Sequence, residues 1–140
     1  MNGSSIFIDT NILLYAHDLD EEFKWEKANQ CLTDLWDRRK QFAVSVQVIQ
    51  ELYVNLIRKN QKPEDAFYIV ESYLELEVVK LDTDLFKQGV EEQRRWKISF
   101  WDGLILAAAR KATVDYLWSE DFNPGQDYDG IVAWNPLLDT

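Results

Sequence analysis

Five short apolar runs, each bounded by turn residues or an amphipathic stretch, constrain this chain more than any other feature. They are Ile6-Phe7-Ile8, Phe42-Ala43-Val44-Ser45, Val78-Val79-Lys80-Leu81, Tyr116-Leu117-Trp118 and Ile131-Val132-Ala133-Trp134. Runs this short fit buried strands and cannot make helices of useful length. Between them the apolar residues return at helical spacing. Residues 12–16 read as a short helix. Residues 23–39 carry Trp25, Ala28, Leu32, Leu35 and Trp36 along one stripe, and residues 46–59 carry Val48, Ile49, Leu52, Tyr53 and Leu56. Pro63, followed by Glu64 and Asp65, opens a helix over 63–75, with proline in the first turn and acids near the positive end of the dipole. Asp82 or Thr83 can cap a helix running to residue 96. Ser99-Phe100-Trp101-Asp102 has the form of a capping box and opens an apolar helix over 103–112. Strands alternating with helices predict an α/β fold with a mainly parallel sheet covered on both faces. Right-handed crossovers put every strand's carboxyl end along one edge, and ligands bind outside that edge.

Composition narrows the function classes. The chain has 140 residues, the size of one domain, and no linker or repeat divides it, so 1–140 is expected to be a single unit. Cys31 is the only cysteine, which excludes an internal disulfide and any multi-cysteine zinc site. No apolar run approaches the ~20 residues of a membrane helix, and the N-terminus lacks a signal-peptide pattern, so a cytoplasmic, membrane-free protein is expected. The five glycines form neither a P-loop nor a dinucleotide fingerprint. Fifteen Lys and Arg against 25 Asp and Glu give a net charge of −10. Such a surface repels nucleic acid at long range, so a generic basic nucleic-acid binder is excluded. An acidic chain can still act on phosphodiesters where its carboxylates hold divalent cations.

Four acids are placed for that. Asp9 and Asp121 fall where the first and fourth strands stop, Glu51 lies on the helix after the second strand, and Asp102 is in the first turn of the helix beginning at Ser99. Each taken alone has a structural use: Asp9 and Asp102 as helix caps, Asp121 in a turn, Glu51 on a solvated face. Asp9 and Asp102 sit among apolar residues, and a carboxylate so flanked needs a counter-charge or hydrogen bonds. No lysine or arginine stands close to them in sequence. A hard Mg²⁺ or Mn²⁺ ion, which takes oxygen ligands, is the natural alternative. Carboxylates held together repel, so some are expected to have raised pKa values. His17, the only histidine, falls at the end of the first helix and reads as structural.

These segments resemble a known family. FIDTNILLYA at 7–16, Glu51 in VIQELY, SFWDGLILAAA at 99–109 and LWSEDF at 117–122 are similar, in the same order, to the successive motifs of PIN-domain proteins. The tail GQDYDGIVAWNPL at 125–137 is similar to the VapC-like toxins of bacterial toxin–antitoxin pairs. The likeness runs over nearly the whole chain. It implies a PIN-like three-layer α/β/α sandwich with a mainly parallel central sheet. The family's four acids fall on Asp9, Glu51, Asp102 and Asp121, its asparagine on Asn11, and its small hydroxyl residue on Ser119, where threonine is commoner. The resemblance further implies a Mg²⁺- or Mn²⁺-dependent endoribonuclease acting on an RNA substrate, a homodimer, and a cognate antitoxin as partner.

On this reading Asp9, Asp102 and Asp121 surround one or two ions, Glu51 contributes directly or through water, and Asn11 and Ser119 orient the acids or a bound water. Among the basic groups, Arg94, Arg95 and Lys97 lead directly into the Asp102 helix and are the candidates for phosphate contact. Trp25, Trp36, Phe67, Tyr68 and Tyr73 lie in helices that could form a groove for a partner segment. Three alternatives stand: a PIN nuclease of RNA processing or DNA repair, a non-catalytic metal-binding module, and a receiver-like signalling domain. The last expects paired acids after the first strand and a lysine after the last, and neither pattern is convincing here.

Overall fold

The computed structural model describes residues 3–18 and 20–138. In chain order its strands are β1 (Ile6–Ile8), β2 (Phe42–Ser45), β3 (Glu77–Val79), β4 (Tyr116–Trp118) and β5 (Val132–Trp134). Its helices are α1 (Thr10–Tyr15), α2 (Glu22–Asp37), α3 (Val46–Arg58), α4 (Pro63–Tyr73), α5 (Thr83–Trp96) and α6 (Phe100–Lys111). The strands form one sheet in the order β3-β2-β1-β4-β5, and all four pairings are parallel. Every residue of β1 and β2 is buried, as a sheet covered on both faces requires. Helices α1 to α4 pack in one group and α5 with α6 in another; α3 and α6 both rest on β2.

The chain leaves β1 toward β2 and β3, then crosses back to place β4 and β5 on the other side. That reversal makes a switch point between β1 and β4, where the loops leaving the two strands diverge and open a crevice. Asp9 follows β1 there, and its amide donates to the Trp118 carbonyl at 2.9 Å.

The helix starts follow side-chain chemistry. Ser45 accepts from the Val48 amide, Asp82 from Leu85, Ser99 from Asp102, and Asp9 from Thr10. Each satisfies an amide that a helix leaves without an internal partner. β3 begins one residue earlier than the apolar run and stops at Val79. Its partner strand ends at Ser45, which turns to cap α3, so Lys80 and Leu81 have no ladder to join. The stretch after Asp37 does not continue α2; residues 39–41 form a separate tight turn.

The glycine after Asp102 has a packing reason. A Cβ on Gly103 would lie 2.5 Å from the Gly89 carbonyl oxygen and 2.9 Å from the Gln93 amide nitrogen. Both neighbours are backbone of α5, so only glycine lets α6 approach this closely and bring Asp102 to the crevice.

Candidate metal centre

Asp9 is the deepest of the four acids, 7% exposed. Its Oδ1 accepts from the Thr10 amide at 2.8 Å and its Oδ2 from the Ser119 hydroxyl at 2.8 Å. Ser119, also buried, accepts in turn from the Asp121 amide at 3.0 Å. One hydroxyl therefore ties the ends of β1 and β4 together and fixes the spacing between Asp9 and the Asp121 backbone. From α3, Glu51 reaches toward the same place and accepts from the Thr10 hydroxyl at 3.3 Å. Asp102, in the first turn of α6, donates its amide to Ser99 Oγ at 3.1 Å.

All four carboxylates line one cleft of about 70 Å³, together with Thr10, Asn11, Gln47, Asn55, Trp101 and Ile105. They act on one another as charges. Burial pushes Asp9 up to about 7 against the lowering bonds from Ser119 and Thr10, and Asp121 and Glu51 raise it further. Burial also raises Glu51, with Asp121 and Asp102 adding repulsion, and raises Asp102, with Asp121 adding to it. Asp121 is raised by burial and by its neighbour Glu120. Desolvation leads in each case, so repulsion among the acids is the smaller cause, not the sole one.

The three buried acids among the described residues are Asp9, Asp18 and Glu92. Asp18 meets Lys59 at 2.7 Å. Glu92 takes Arg110 on both oxygens, at 3.0 and 3.2 Å, and the Trp96 indole at 3.1 Å. The groups acting on Asp9 are neutral donors and further acids; no cation is among them. A buried carboxylate without a counter-ion is costly, and here three more acids face it.

The donor set fits a hard divalent cation: four carboxylates, and the Oε1 of Gln47, a buried oxygen that lines the cleft's wall and has no hydrogen-bond partner. As they stand, no three acidic, histidine or cysteine side chains among the described residues are drawn together closely enough to enclose an ion. Glu51 and Asp121 are exposed and Asp102 is half-buried, so these carboxylates have room to turn toward Asp9.

Other groups the sequence singles out fall elsewhere. Asn11 lines the cleft but bonds none of the four acids; its amide donates to Glu120 Oε1 at 3.1 Å. Glu120 also accepts from Tyr15 at 3.0 Å and pairs with Lys24 at 3.5 Å. Arg94, Arg95 and Lys97 do not line the cleft. Arg95 is held by Asp129 at 3.0 Å and lies over the Trp96 ring, while Arg94 and Lys97 are exposed. His17 meets the Tyr73 hydroxyl at 2.8 Å, away from the acids. Tyr73 is buried and stacked on Trp36, so it belongs to the core and not to a partner groove; Phe67 and Tyr68 are exposed.

Thr10, Gln47 and Glu120 were not among the predicted site residues. Gln47 precedes Glu51 by four positions, one turn of the same helix face, and Tyr15 follows Asn11 by the same step. That spacing is the signal that could have found Gln47, while Thr10 and Glu120 stand directly beside Asp9 and Asp121. A larger hollow of about 270 Å³ lies beside β3, but its lysines and acids are mixed and do not converge on a carboxylate set.

The profile of the PIN domain matches residues 6–124. No curated protein matches the chain at a significant level. Among solved structures, VapC20 of Mycobacterium tuberculosis, a toxin that cleaves the sarcin-ricin loop, is similar with a TM-score of 0.65 at 21% identity, over 84% of this chain and 90% of that one. A toxin–antitoxin complex from Klebsiella pneumoniae gives 0.64 at 23% identity, over 95% and 98%. VapBC2 from Rickettsia felis, bound to a fragment of promoter DNA, gives 0.65 at 19% identity, over 93% and 97%. At these identities the likeness is one of fold.

Proposed function

The chain belongs to the PIN-domain family, and from that premise we propose that it is a divalent-metal-dependent endoribonuclease, the toxin of a type II toxin–antitoxin pair. The observation that carries this reading is Asp9, a buried carboxylate that shares its cleft with three more acids and pairs with no cation among the described residues. The fold neighbours support the biological setting: one is a toxin that cleaves an RNA loop, and another is a toxin–antitoxin complex. The partners on this reading are an RNA substrate, a cognate antitoxin and a second copy of the chain. Residues 1–140 act as one unit in the cytoplasm, and no helix among the described residues is long and apolar enough to cross a membrane.

Asp9, Glu51, Asp102 and Asp121 would hold Mg²⁺ or Mn²⁺. When bound, the cation neutralises charge on a scissile phosphate and acidifies water for attack on it. The chain's own residues prepare that site. Ser119 holds Asp9 Oδ2 in place and couples it to Asp121 through one hydroxyl. Thr10 uses its amide on Asp9 and its hydroxyl on Glu51, so both acids are oriented by one residue. Asn11, with Tyr15 and Lys24, holds Glu120 through its carboxylate, beside Asp121. Arg94 and Lys97, exposed near the start of the Asp102 helix, are the candidates to meet a phosphate backbone. No histidine or activated serine is needed. The test is to map new RNA ends after brief induction, with Asp9→Asn as the control. Discrete ends that need Asp9 support the reading, and identical patterns from both proteins overturn it.

A further inference from the structure

Trp101 stands on the wall of the acid cleft, next to Asp102, and is 64% exposed. A large indole left in water beside a set of carboxylates adds little to stability, and its ring is not loose. Phe100 meets it edge-on at 5.1 Å, and Phe86, itself 54% exposed, backs Phe100 at 5.6 Å. Three rings thus run from α5 to the cleft, with the last one at the carboxylates. Gln47 adds a long contact from its side-chain amide to the Trp101 carbonyl at 3.5 Å.

The charge of the molecule sharpens the question. At −10 the surface opposes a phosphate backbone, and Lys24, Arg38, Lys59, Arg95 and Arg110 are each already paired with an acid. Beyond a bound cation and the exposed Arg94 and Lys97, a nucleic acid approaching such a cleft gains from an attraction that is not charge. An exposed ring offers one, because every base has a face to stack and the gain does not depend on neutralising phosphate. In a duplex those faces are covered, so the attraction serves unpaired nucleotides.

We infer that Trp101 is a stacking platform that holds an unpaired base of a single-stranded RNA beside the carboxylates, with Phe100 and Phe86 packed behind it. The inference rests on the ribonuclease reading and names the substrate feature that reading leaves open. It makes Trp101 a specificity-determining residue that favours unpaired RNA over duplex.

The experiment compares wild type, Trp101→Ala and Trp101→Phe on an oligouridylate of about 10 nucleotides and on the same strand paired with oligoadenylate. Cleavage with Mn²⁺ gives kcat and KM, and binding is read separately with cleavage blocked by Asp9→Asn. The expected result is a KM and a binding constant for the single strand weakened about tenfold in Trp101→Ala, with kcat little changed. Trp101→Phe, which keeps a ring, recovers most of the loss, and the duplex responds much less. Wild type that cleaves while Trp101→Ala keeps its KM overturns this inference alone. So does equal weakening on single strand and duplex, or a Trp101→Ala protein that binds RNA normally but escapes its antitoxin, which would make the ring a protein contact. Wild type that neither binds nor cleaves overturns the ribonuclease reading as well.

Discussion

Asp9 and Glu92 are both buried acids, and the chain treats them in opposite ways. Glu92 is closed off by Arg110 and the Trp96 indole, and Arg110 also reaches the carbonyls of Tyr128 and Asp129. The result ties α5 and α6 to the loop before β5. Among the described residues Asp9 is given a hydroxyl and an amide, and the charges that act on it are further acids. The same chain can neutralise a buried carboxylate when stability is the purpose. On the proposed reading, leaving Asp9 without a paired cation prepares the switch-point cleft for an external one. The contrast separates an acid that holds the fold from an acid that the fold holds ready.

The largest effect expected from breaking this contrast is on activity. Asp9→Asn should lower metal-dependent RNA cleavage by at least about a hundredfold, measured as initial rate at saturating Mn²⁺. Glu92→Gln should leave that rate close to wild type. Next comes stability. Arg110→Met leaves Glu92 buried without its cation and should cost about 2 kcal/mol, reduced from the full buried-pair value because Arg110 is partly exposed. Urea midpoints would measure it, and no shift would show the pair to be dispensable. Ser119→Ala removes the hydroxyl that orients Asp9 and accepts from the Asp121 amide, so it should weaken Mn²⁺ binding about tenfold and also lower the melting midpoint.

The last effect is a pH dependence. Asp9 is raised from its ordinary 3.8 to about 7 in the folded chain, so the folded state favours the protonated form. Its contribution to stability is fully present below about pH 4 and is lost as pH rises through about 7. The metal-free unfolding free energy should therefore fall between pH 5 and 8 by an amount on the order of 1 kcal/mol or more, and Asp9→Asn should flatten that fall. An identical slope in the variant would remove Asp9 as its source.

The two regions were not equally legible before folding. Asp9 and Asp121 could be found because a strand's end is visible in sequence: Ile6-Phe7-Ile8 and Tyr116-Leu117-Trp118 each stop at a polar residue. The helix caps at Asp82 and Ser99 were legible for the same local reason. That Glu51 and Asp102 line the same cleft depends on strand order, since β2 and β4 must flank β1, and order is a property of long-range packing. The Glu92–Arg110 pair spans 18 residues on two crossing helices and has no spacing signal. Arg95, apparently free in sequence, is taken by Asp129 from a loop 34 residues away. Local chemistry could be read; which charges cancel could not.

A Mn²⁺ titration followed by electron paramagnetic resonance tests the central claim most directly. The account predicts saturable binding to wild type that is largely lost in Asp9→Asn and in Asp121→Asn, and kept in Glu92→Gln. Binding that survives both aspartate substitutions, or fails in Glu92→Gln while that variant remains folded, would contradict it.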